Sequence, residues 1–147
     1  MIMPKEYIGN YDKHVEFMIQ AYEDILNSPL SRYVTAMAHP FDICCHDYTS
    51  KDLIPLISDD TFKRLFDKTA EKGIAFELNM SYSKDMTPQD IANDCHIRMF
   101  NIAKECGCKF IFGSDSHKRE ALNSAKQNFE NIIDLLDLKE TDKFRLD

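Results

Sequence analysis

Three short apolar segments constrain this chain most. Each runs directly into polar or ionisable residues, and a helical pattern separates it from the next. Tyr33 to His39 reads YVTAMAH and ends at His39-Pro40, Ile74 to Asn79 reads IAFELN, and Phe110 to Phe112 opens into Gly113-Ser114-Asp115-Ser116-His117. Around them apolar residues recur at helical spacing. Val15, Met18, Ile19, Tyr22, Ile25 and Leu26 mark a helix from His14 to Asn27, stopped by Ser28-Pro29. Phe62, Leu65, Phe66 and Thr69 mark a second, capped by Asp59 or Asp60 and closed by Gly73. Thr87-Pro88-Gln89-Asp90 starts a third, which buries Ile91, Cys95, Met99, Ile102 and Cys106 and breaks at Gly107. Leu122, Ala125, Phe129, Ile132, Ile133 and Leu136 stripe the last. Strands alternating with helices predict an α/β architecture with parallel strands. Three such strands make a thin sheet and cannot close a barrel alone, so the chain reads as part of a larger unit.

A length of 147 residues suits one domain, expected over residues 1–138 with a polar tail at 139–147 that frays. With 44% hydrophobic and 29% charged residues, the chain is not a disordered or low-complexity one. No apolar run approaches the roughly 20 residues of a membrane span, and the start lacks a signal-peptide layout. A net charge of −7 argues against nucleic acid as the main partner. Cys44, Cys45, Cys95, Cys106 and Cys108 without a secretory signal point to a reducing, cytoplasmic setting. Neither close pair has the two-residue gap of a zinc knuckle or redox motif, so buried or incidental thiols are expected.

In α/β folds functional groups gather where parallel strands end. Here those ends carry His39, Asn79, and Asp115 with His117. In the middle strand Ile74, Phe76 and Leu78 share one face, which suits packing on helices, and Ala75, Glu77 and Asn79 share the other. Glu77 within a parallel strand needs a partner, either a lysine or arginine in its layer or a group of the site. Asp115 and His117 combine an oxygen ligand with an imidazole, a mixed set that zinc, manganese or iron accept. The competing reading is that Asp115 caps the final helix, His117 is simply exposed and His39 is structural. The long loop from Phe41 to Ser58 holds Cys44-Cys45-His46-Asp47, of which His46 is an accessory ligand candidate. His96 reads as a partly exposed surface histidine, and Met37 and Met99 as core.

Together the segments TAMAHPFD (Thr35 to Asp42), GIAFELN (Gly73 to Asn79) and FIFGSDSHKREAL (Phe110 to Leu122) resemble the carboxyl-terminal half of the PHP (polymerase and histidinol phosphatase) family. Their order and intervals match, from roughly Tyr33 to Leu136. The resemblance implies part of a distorted seven-stranded (β/α) barrel with a cluster of divalent metals at the strand ends. It makes His39, Asp115 and His117 metal ligands, serving different metals of that cluster, and places Asn79 near the site. Glu77 is an accessory candidate by the same comparison. Lys118, Arg119 and the start of the final helix would hold phosphate. The family's opening H-x-H motif is absent, and His14 fits better inside the first helix. The expected activity is metal-dependent hydrolysis of a phosphorylated small molecule by a truncated portion of such an enzyme. The alternative is a metal-poor remnant acting as a binding or oligomerisation module. Open sheet edges favour a homo-oligomer or association with a missing amino-terminal half.

Overall fold

The computed structural model describes residues 7, 9–42, 49–79, 87–119 and 122–145, so Cys44, Cys45 and His46 lie outside the described residues. Within them the fold is mixed α/β, with a three-stranded, all-parallel sheet in the order β1 (Ala36–Met37), β2 (Ala75–Asn79), β3 (Phe110–Gly113). Among the described residues no helix is long and apolar enough to cross a membrane.

Helix α1 (Tyr11–Asn27) starts where the Asn10 side chain accepts the Lys13 N–H at 3.1 Å, and it buries His14, Val15, Met18, Tyr22 and Leu26. Strand β1 is much shorter than the expected Tyr33–His39. Ser28 and Pro29 start a 3-10 helix, Pro29–Tyr33, that consumes the approach to the strand. Tyr33 is left 70% exposed, with the Arg32 guanidinium 4.8 Å from its ring centroid. The expected long loop ends in helical turns. Thr49 and Asp52 form a capping box, in which the Thr49 N–H donates to Asp52 at 2.7 Å. It opens α2 (Ser50–Leu53) and a turn that buries Leu53, Ile54 and Ile57.

Ser58, rather than Asp59 or Asp60, caps α3 (Asp59–Glu71), accepting the Thr61 N–H at 3.2 Å. The two aspartates occupy its first turn, where they favour the helix dipole. The helix expected from Thr87 is two helices, α4 (Pro88–Ala92) and α5 (Cys95–Glu105). Asp94 divides them by accepting the His96 N–H at 3.0 Å, which caps a new helix instead of continuing the old one. Helix α6 (Leu122–Leu135) follows β3. The tail from Lys139 docks rather than frays through residue 145. After a 3-10 turn at Glu140–Asp142, Lys143 bridges Phe110 in parallel, and the Phe144 N–H donates to the Phe110 carbonyl at 2.8 Å.

The sheet has two chemically different faces. Phe76 pairs with Phe110 and Leu78 with Phe112, so these four share a face. Phe76 meets Phe66 of α3 edge-on at 4.9 Å and Phe100 of α5 at 6.1 Å, and Phe112 meets Phe129 of α6 at 4.8 Å. Fully burying such rings contributes roughly 2–3 kcal/mol each, which makes this layer the core. The other face carries Ala36, Ala75, Glu77, Asn79, Ile111 and Gly113, set by register alone.

Candidate functional site at the carboxyl ends of the strands

Parallel pairing brings the three strand ends to one rim, with the end of β2 between those of β1 and β3. Strands lie about 4.8 Å apart, so β1 and β3 are separated by roughly 10 Å.

At the end of β1 the backbone turns sharply through His39 (φ 29°) and Phe41 (φ 65°), both in the left-handed region. That conformation costs a non-glycine residue about 1–2 kcal/mol. Burial of Phe41 offsets it, with its ring stacked on Tyr22 at 5.1 Å and edge-on to Phe62 at 5.4 Å. The anchor leaves the His39 side chain exposed, while its N–H donates to the Glu77 carboxylate. Glu77 thus finds a backbone donor where a lysine or arginine was one expectation. Next to His39, a groove of about 760 Å³ runs between α1 and β1, walled by Phe17, Met18, Tyr22 and Val34. His14 is buried in α1, as its helical placement implied, and burial holds its imidazole below its usual pKa.

Asn79 closes β2, 9% exposed, and among the described residues neither its amide nitrogen nor its amide oxygen has a partner. Beyond β3, Asp115 again has left-handed backbone (φ 45°), and its carboxylate lies 3.4 Å from His117 Nε2. Both are open, His117 with 84% of its side chain exposed, and Lys118 and Arg119 are exposed beside them.

The densest ionic cluster on the described surface is one the sequence reading passed over. Asp42 accepts the Ser50 hydroxyl at 2.7 Å and stands 3.2 Å from His96 Nε2. His96 Nδ1 lies 2.6 Å from Asp94, whose side chain is fully buried. Lys51 meets the other Asp94 oxygen at 3.2 Å, as an ion pair rather than an aligned hydrogen bond. His96 is partly exposed, with 15% of its side chain in solvent, but it is tied to a carboxylate at each ring nitrogen rather than free at the surface. Burial alone would lower its pKa, yet the hydrogen bonds its ring N–H groups donate to Asp42 and Asp94 raise it to about 11. Despite their burial, bonding to His96 holds both carboxyls below the usual range. The available signal was Asp94 itself, an N-cap residue within a helical run, spaced from His96 as Asp115 is from His117.

Among the described residues, the trio of possible ligand atoms within 4.8 Å of one another is Asp94, Cys95 and His96. An imidazolium bonded through both nitrogens has no lone pair for a metal, so this trio is an ion-paired helix cap. His39, Asp115 and His117 are donors of the kind zinc, manganese or iron take, and Asp115 with His117 is compact enough for one ion. They form two partial sets on opposite flanks of β2 rather than one shell. Burial pushes the Cys106 thiol up to about 11 and the Cys108 thiol up to about 12, which makes neither a nucleophile.

Comparison with protein-family models, with curated proteins and with solved structures finds no match to this chain.

Proposed function

We propose that this chain is the carboxyl-terminal portion of a PHP-type, metal-dependent phosphoesterase that acts on a phosphorylated small molecule in the cytoplasm. The parallel sheet is then part of a (β/α) barrel, with Glu77 and Asn79 facing its lumen. The observation that carries the reading is the meeting of His39, Asn79 and Asp115 at one rim, two of them on left-handed backbone held after parallel strands.

In this reading His39 contributes to one metal subsite, and Asp115 with His117 to another. A bound divalent metal supplies an activated water and neutralises phosphate charge. The Asn79 amide offers a preplaced donor to a phosphate oxygen, and Lys118 and Arg119 supply positive charge to the ester. Each metal needs further ligands, because affinity comes from several preplaced donors acting together. These would come from an amino-terminal half or a second copy.

A specific observation favours a second reading, a metal-poor remnant serving as a binding or oligomerisation module. Among the described residues the trio of possible ligand atoms that gathers is Asp94, Cys95 and His96 rather than the rim residues, and His39 acts electrostatically on Asp42. The apolar groove beside β1 would then be the working surface. One experiment separates the two: manganese and zinc content, and hydrolysis of an aryl phosphate, with Asp115→Ala and His117→Ala as controls. Turnover lost in both variants supports the phosphoesterase. A folded chain that takes up no metal and shows no turnover, alone or mixed with an amino-terminal PHP half, overturns it.

A further inference from the structure

We propose that Glu77 is the positioning residue of the rim, a carboxylate on the central strand that sets the loops after β1 and β3 against each other. Only the effect on metal affinity rests on the phosphoesterase reading. Glu77 sits opposite Ile111 in the register of β2 and β3. Toward β1, its Oε2 accepts the N–H of His39, the first left-handed residue beyond that strand. Toward β3, its Oε1 lies so close over Gly113 that a Cβ built there would overlap the carboxylate. One side chain thus fills the space between the two loops that carry His39 and Asp115.

The physics makes each contact depend on the other. A half-buried carboxylate is tolerable only where donors reach it, and the His39 N–H is such a donor. The His39 conformation is unfavourable alone, so the bond to Glu77 helps to hold the imidazole where it projects. Glu77 can reach that N–H only while position 113 lacks a side chain. Gly113 is not among the positive-φ glycines, so the demand for glycine there comes from Glu77 rather than from backbone conformation. Glu77 therefore acts through His39 and the β3 loop and needs no contact with substrate.

Three readouts on the full chain test this. In amide NMR spectra, Glu77→Ala should shift the His39 N–H strongly upfield, and Glu77→Gln, whose side-chain oxygen still accepts, should restore most of that shift. In urea unfolding, Gly113→Ala should lower the midpoint of the natural chain but not that of the Glu77→Ala variant, because the colliding carboxylate is gone. In manganese titrations followed by broadening of rim amides, Glu77→Ala should weaken binding about tenfold, with rescue by Glu77→Gln. An unmoved His39 amide, or an equal Gly113→Ala penalty in both backgrounds, overturns the positioning role. Absence of manganese binding in the natural chain, both alone and mixed with an amino-terminal PHP half, overturns the phosphoesterase reading instead, and the first two readouts still decide the role of Glu77.

Discussion

Two Asp-x-His triplets, Asp94-Cys95-His96 and Asp115-Ser116-His117, carry the same donors at the same spacing and meet opposite fates. The first starts α5. Asp94 caps the helix, His96 is pinned between Asp94 and Asp42, and Lys51 closes the cluster. The second follows β3, where a left-handed Asp115 leaves its carboxylate and the His117 ring in solvent, 3.4 Å apart. The buried triplet spends its donors on one another and can only hold the fold together. The exposed triplet is loose, contributes little to stability and keeps its ligand atoms within reach of a cation or a phosphate. Spacing names the chemistry available, and the surroundings decide whether it is spent internally.

The largest break in this comparison should come from Asp94→Ala. It leaves the His96 imidazolium with Asp42 alone and removes a helix cap, so the loss should be about 3 kcal/mol in urea unfolding. Asp115→Ala should change stability by less than about 0.5 kcal/mol in the same assay. A destabilisation as large as that of Asp94→Ala would erase the distinction.

His96→Gln should come next, at about 2 kcal/mol near neutral pH, and the pH dependence identifies the cause. The folded pKa of about 11 lies above the unfolded 6.5, so above pH 6.5 the folded state binds more protons than the unfolded one. The stabilisation by His96 is complete below pH 6.5 and declines as pH rises toward 11. The stability difference between the natural chain and His96→Gln should therefore shrink from pH 7 to pH 10. A constant difference would mean that His96 contributes by packing rather than by charge.

Smaller effects sharpen the contrast. Asp115→Gly should stabilise the chain by about 1 kcal/mol by relieving left-handed strain, read as a higher thermal midpoint. A loss would mean that the Asp115 carboxylate has a structural partner. Lys51→Ala should cost about 0.5 kcal/mol, since the Lys51 side chain is 64% exposed although its partner is buried. Thermal unfolding at low and high salt checks this, because screening should reduce the difference.

The alternation of apolar segments and amphipathic stripes was enough to read the strand–helix order, because burial of one face imposes a period that survives in one dimension. It was also enough to put Phe76 and Leu78 opposite Glu77 and Asn79, since successive strand residues point to opposite faces. The Thr87 start was legible because a capping box is local. The break at Asp94 was not. A helical stripe of Ile91, Cys95, Met99 and Ile102 continues across it, and only the bond from Asp94 to the His96 N–H shows that the helix restarts. The shortness of β1 was hidden for a related reason, because YVTAMAH has strand chemistry but its first residue is committed to the 3-10 turn begun at Pro29.

What the sequence determined by itself is therefore periodic or local: the α/β class, the apolar face of each element, the cap at Thr87, and the arrival of His39, Asn79 and Asp115 at strand ends. What the tertiary structure alone decided is which charged groups meet. The partnership of Asp42, Ser50, Lys51, Asp94 and His96, and the reach of Glu77 from His39 to Gly113, join residues dozens of positions apart. Electrostatics and hydrogen bonding act over a few ångströms in space and carry no period along the chain, so those contacts exist only once the layers have packed.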